Sequence, residues 1–156
     1  MTARAEALVA LLRMDPSWRD PNEARSHVSP MQHALQCATK AFNHNAKDHE
    51  MVTAALLHDA ARPLSDVRHG QVIAEALRDR VRRPVYEALY DHGVYQEALL
   101  HEDRRLNPAI EGHRESLLLA SWDAASFDPD YVTDPLEFFI PYVERTMNAR
   151  RQDLDG

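Results

Sequence analysis

The dipeptide His58-Asp59 follows the apolar run AALL directly. An imidazole and a carboxylate at the inner end of a buried stretch both need polar partners, and a metal ion satisfies both at once. Adjacent helical positions diverge by about 100°, so His58 can bind one metal while the two oxygens of Asp59 bridge to another. Alone, such a dipeptide reads equally as two polar residues that end a helix. Four further residues stand on other segments, with faces that can converge on the pair: His33, His69, His92 and Asp123. Each has an ordinary reading too. His33 can be a hydrogen-bonded core histidine, His69 an exposed residue opening a helix, and His92, beside Gly93, a helix end. Asp123, set in LLASWDAAS, is hard to account for as a solvated residue.

The segments that must position these residues read as helices throughout. Ala3 to Met14 carries Ala7, Leu8, Leu11 and Leu12 at helical spacing, and two prolines then break the pattern. Ser29-Pro30 is an N-cap followed by Pro at the first helical position, opening a helix with Ala34, Leu35, Ala38, Ala41 and Phe42 inward. Asp48 can cap the next helix, HEMVTAALLHDAA, which is apolar on nearly every side and so predicts a central, buried element. Arg62-Pro63 marks a break, a helix is expected from about His69 to Arg80, and Pro84 restarts one through Val85, Leu89 and His92. YQEALLHEDRRLNP reads as a helical turn and a polar loop, and SLLLASWDAAS as a helix delivering Asp123. SFDPDYVTDP is a connector, fixed by Asp128 and Tyr131, before a last helix through Phe138, Phe139, Tyr142, Val143 and Met147. Trp122 and Phe127 read as core. No strand or repeat is evident. The expectation is an all-α bundle of six or seven helices forming a single domain over 1–156: an N-terminal helix and loop (1–28), a metal-binding core (29–131) and a C-terminal helix (132–156).

Composition narrows the function classes. A chain of 156 residues, 44% of them hydrophobic, builds one sizeable core. A formal charge of −7 argues against a nucleic-acid or anionic-membrane surface, so the expected partner is a small molecule. One cysteine, Cys37, forms no internal disulfide, the N-terminus has no export-signal pattern, and no apolar run is long enough for a bilayer; a cytoplasmic location is expected. Four glycines are too few for a phosphate-cradling loop or a dinucleotide fingerprint, whereas nine histidines are plentiful. His27, His44, His49, His101 and His113 lie in polar surroundings and read as surface residues. His113 is the next candidate should one of the four partners fail.

The order His33, His58-Asp59, His69, His92, Asp123, with HALQCA around the first and AALLHD around the pair, resembles the HD-domain superfamily. More narrowly it is similar to the dinuclear branch that contains myo-inositol oxygenase and the phosphonate-cleaving HD oxygenases, over about Ser29 to Tyr131. The resemblance implies a first metal held by His33, His58, Asp59 and Asp123. It implies a second held by the other oxygen of Asp59 with His69 and His92, with more positions open for substrate or oxygen. Asp59, as the bridge, is then the catalytic residue. Imidazole and carboxylate donors suit iron and accept manganese, cobalt, nickel, zinc or magnesium. Arg62, Tyr95, Gln96 and Gln36 are the candidates to contact substrate, against ordinary readings as a helix-end arginine and as residues engaged in packing or in hydrogen bonds to the ligands.

The resemblance implies a mixed-valent Fe(II)/Fe(III) oxygenase acting with O₂ on a small hydroxylated molecule, as monomer or homodimer. The alternative is a metal-dependent phosphohydrolase acting on a small phosphate ester or nucleotide, in which a metal lowers the pKa of bound water. After the pair this chain reads AARPL, without the acidic residues of the one-metal nucleotidases or alarmone hydrolases, and it has no GYP motif. A metal-free binding module is a third class, opposed by the intact six-residue set. The phosphonate-cleaving members carry a Lys after the fourth histidine and an Arg before the last aspartate; here Gln96 and Ala120 or Ser121 stand there. A hydroxylated or amino-bearing substrate anchored by Arg62 is therefore expected over a phosphonate.

Overall fold

The computed structural model describes residues 2–14, 28–65, 67–92 and 113–149. Among these it has seven α-helices and no strand: α1 (Ala3–Leu12), α2 (Pro30–His44), α3 (His49–Leu57), α4 (His69–Leu77), α5 (Arg83–Tyr90), α6 (His113–Ala125) and α7 (Leu136–Asn148). The all-α expectation holds.

Local chemistry sets the helix starts. At α2 the Ser29 hydroxyl accepts from Gln32 N at 3.1 Å and the Gln32 amide oxygen accepts from Ser29 N at 2.9 Å, a reciprocal capping box with Pro30 behind it. Asp48 caps α3 by accepting from Met51 N at 3.2 Å. These caps matter because α2 and α3 carry His33 and lead into His58-Asp59.

The expected central helix is α3, in which every residue from Glu50 to Leu57 is buried. It packs against α2, α5, α6 and α7, while α4 pairs with α5, α5 with α6, and α1 rests on α7. Ala54 and Ala55, fully buried, let these neighbours approach closely. α7 contributes Phe139, Val143 and Met147 to the same core, and truncating Phe139 to Ala there costs about 3–5 kcal/mol.

The ends differ from the sequence expectation in physically readable ways. α1 stops at Leu12 because Arg13 and Met14 tighten to i−3 bonds, and α4 stops at Leu77, before Arg80, for the same reason. α3 does not run on through the HDAA segment. From His58 the chain proceeds by three-residue turns, with Ala60 N, Arg62 N and Leu64 N bonding to Leu57, Asp59 and Ala61 carbonyls, up to Pro63, which lacks an N–H to extend a ladder. His92 lies just past α5 rather than inside it. His49 is not a surface residue: half-buried, its Nδ1 lies 3.0 Å from Thr146 Oγ1 and ties α3 to α7. His44 is exposed as expected, and His27 and His101 lie outside the described residues.

Candidate metal centre

The six expected ligands converge, and they do so as two groups. His33 comes from the first turn of α2, His58 from the cap of α3, Asp59 from the turn after it, and Asp123 from the last turns of α6. His69 opens α4 and His92 follows α5. Helices that share one core thus deliver their polar termini to a single place.

In the first group His33 Nε2 is 2.8 Å from Asp123 Oδ1, 3.3 Å from His58 Nε2 and 3.3 Å from Asp59 Oδ2. His58 Nε2 is 3.2 Å from Asp123 Oδ1 and 3.3 Å from Asp59 Oδ2. In the second group His69 Nε2 is 3.0 Å from His92 Nε2 and 3.0 Å from Asp59 Oδ1, and His92 Nε2 is 3.4 Å from the same oxygen. Donors about 2.1 Å from one ion stand ~3.0 Å apart when cis in an octahedron and ~3.4 Å apart in a tetrahedron. Both groups have that spacing, and each uses a different oxygen of Asp59.

Hydrogen bonds on the far side of the rings set which nitrogen faces inward. The Nδ1–H of His33 donates to Ser126 O at 2.9 Å, that of His58 to Ala55 O at 2.8 Å and that of His92 to Leu89 O at 3.0 Å. A carbonyl only accepts, so Nδ1 carries the proton and Nε2 turns its lone pair inward. Lone pairs then face lone pairs and carboxylates across about 3 Å, an arrangement that calls for a cation between them. Asp59 Oδ1 makes the same point: buried and beside two imidazoles, it accepts no hydrogen bond. The residues present fit two metal ions.

The electrostatics agree. Burial opposes the charged form of His33, yet the nearby Cys37 sulfur and the Asp123 and Asp59 carboxylates hold its pKa well above the usual imidazole value. His58 is raised in the same way, against burial, by Asp59, Asp123 and Cys37. Burial likewise opposes charge on Asp59 and Asp123, but the His58 and His33 rings beside them keep both pKa values below the ordinary carboxylate range. Two carboxylates set among imidazoles make a site that retains positive charge, whether carried by protons or by metal.

Other candidates fare differently. Arg62 lies on the flank of the pair, its Nε 3.7 Å from Asp59 Oδ1. Gln36, expected among the substrate contacts, is instead engaged with backbone: its Nε2 donates to Asp128 O at 2.7 Å and its Oε1 accepts from Asp128 N at 3.2 Å. An amide committed at both ends to the chain has its role in clamping the segment after α6 onto α2, which holds Ser126 O against His33. Lys40 over the Tyr131 ring, 3.8 Å from its centre, secures the same connector. Tyr95 and Gln96 lie outside the described residues. Trp122 is buried, and Phe127 stacks on His33 with centres 4.3 Å apart.

Two contributors were not singled out from sequence. Cys37, fully buried, joins His33, His58 and Asp123 as a fourth side chain that could hold the first metal, with Sγ 3.8 Å from His33 Nε2. Its position four residues after His33, on the same helical face, was the available signal. Gly70 is the second. A Cβ there would stand 2.6 Å from His92 Nδ1 and from Leu89 O, so the glycine that seats His92 is the neighbour of His69; Gly93 lies outside the described residues. No helix among the described residues is long and apolar enough to cross a membrane.

No protein-family model matches the chain, and no curated protein matches it.

Proposed function

We propose that this chain is an HD-type metalloenzyme, a mixed-valent di-iron oxygenase that oxidatively cleaves a small hydroxylated organic substrate with O₂. The observation that carries this reading is the division of Asp59 between two donor groups, Oδ2 toward His33 and His58 and Oδ1 toward His69 and His92. A carboxylate placed this way serves two ions. The second group offers two imidazoles and one carboxylate oxygen, mutually adjacent, a donor set with room for exogenous ligands and one that suits non-haem iron.

Bound there, the iron pair would supply Lewis acidity toward a substrate oxygen and redox chemistry toward O₂. The protein's part is positional. Turns from His58 to Leu64 hold Asp59 between the groups, and the Ser126, Ala55 and Leu89 carbonyls fix three imidazoles in one tautomer. Near-complete burial of His33, His58 and Asp123 keeps water from their side. Arg62 places a guanidinium beside the bridging carboxylate, where an anionic or hydroxyl group of a substrate would meet a donor. Ala120 is buried and Ser121 exposed on α6, so neither supplies the cation that a phosphonate would need.

The test is spectroscopic. Iron-loaded, partly reduced protein is expected to show the EPR signal of a coupled Fe(II)/Fe(III) pair, and to consume O₂ when a substrate is supplied. Phosphatase activity with magnesium or manganese, without that signal or oxygen uptake, would establish the hydrolase instead.

A further inference from the structure

Burial around the centre is uneven, and the unevenness has a direction. The side chains of His33, His58, Asp123 and His92 are 0–5% exposed, whereas Asp59, His69 and Arg62 keep 12%, 11% and 19%. A molecule arriving from solvent therefore meets the donors over Asp59. On that flank lies a hollow that opens to solvent. Leu11 and Leu12 from the end of α1, Met14 just past it, Pro30 and Ala34 from the start of α2, and Ala60 form its walls, with Asp59 as its one polar side chain among the described residues.

From this vestibule we infer that the substrate is a small amphiphile, with an oxygen- or nitrogen-bearing head at the Asp59-bridged donors and an aliphatic portion lying on Leu11, Leu12 and Met14. The inference rests on the metal-centre reading and names the substrate class of that same site. Two observations support it. Aliphatic walls cannot pair hydroxyls, so a molecule hydroxylated all round would leave donors unsatisfied against Leu11, Leu12 and Pro30. No cation lines the walls among the described residues, so those walls offer a phosphorylated tail no counter-charge.

A series of straight-chain hydroxamic acids tests this, because the head group binds metal through two oxygens and the tail varies alone. Titrated calorimetrically into zinc- or cobalt-loaded protein, members from two to eight carbons are expected to tighten about threefold to fourfold per methylene until the cavity is filled. Met14 is 44% exposed, so Met14→Glu should fold normally, bind acetohydroxamate like the parent and lose the chain-length gain. Leu12→Ala should reduce that gain in part. Affinity independent of chain length, or a gain that survives both substitutions, overturns the vestibule while leaving the metal centre standing. Acetohydroxamate binding that is no stronger with metal than without it overturns the metal centre and the substrate class together.

Discussion

Among the described residues, two clusters of oppositely charged side chains are buried or half-buried, and they differ in where their positive charge comes from. Around Arg82 the cation is part of the chain. Its guanidinium grips Asp48 through two bonds of 3.0 and 2.8 Å and lies 3.5 Å from Glu50 and 3.7 Å from Glu115, and its backbone N–H donates to Glu50 at 2.6 Å. Acids on α3 and α6 thus meet the residue that caps α5, and every group finds its partner inside the protein. Around Asp59 the reverse holds. Carboxylates and inward-turned imidazoles crowd together, and Asp59 Oδ1 accepts no hydrogen bond. Acidic groups sited among basic ones are thus not sufficient to mark function. A cluster that satisfies itself joins helices; a cluster short of a cation holds a place for one.

The sharpest way to break this contrast is at the shared carboxylate. Asp59→Ala is expected to strip both metals, taking the chain from two ions to none and weakening metal binding more than about 100-fold, since even partners behind the ligands are worth 10–100-fold. Elemental analysis of metal-replete protein reads the outcome directly. One retained ion per chain would mean that Asp59 belongs to a single group.

His92→Ala cuts the second group while sparing the first. His33, His58, Asp123 and Asp59 Oδ2 remain, so one ion per chain should persist and the coupled EPR signal should vanish in favour of an isolated ion. Loss of both ions would show that the groups bind as one unit.

These outcomes bear on what the sequence revealed. Asp123, among leucines and alanines, and His58-Asp59, at the end of an apolar run, were legible because each is anomalous where it stands, whereas His33, His69 and His92 have ordinary readings and were expected only from the order of the set and the resemblance it carries. Caps at Ser29 and Asp48 were legible because they act over three residues. Contacts between distant segments were not. Nothing in the sequence pairs Gln36 with the backbone of Asp128, or sets Gly70 beneath His92, because both depend on how α2 meets α6 and α4 meets α5. The Arg82 cluster was invisible for the same reason: its acids sit 34, 32 and 33 positions away, within segments that read as ordinary charged helix ends.

Arg82→Met should therefore leave metal content at the parent's value and lower stability. Three acids would lose their cation, at a cost of about 1–3 kcal/mol for a cluster still partly open to solvent, or roughly 3–10 °C in Tm for a chain of this size. Thermal unfolding of the metal-free proteins isolates this effect. A loss of metal would show that the two clusters are coupled, and would end the division between them.

The smallest expected effect is the pH dependence of that difference. Burial works to raise the pKa of Asp48, but the bonds and charge of Arg82 prevail and lower it. A carboxylate whose folded pKa lies below its unfolded value of about 3.9 binds fewer protons folded than unfolded, so folding gains stability as pH rises through that interval. The contribution is complete above about pH 4–5 and disappears as pH falls through the lowered folded pKa. The Tm gap between parent and Arg82→Met should hence be constant from neutral pH down to about 5 and narrow below about 4. Asp48→Asn should flatten the parent's profile over the same window, since a neutral amide has no proton to bind. A gap that stays constant to pH 3 would place the stabilisation in the packing of Arg82's aliphatic stem rather than in its charge.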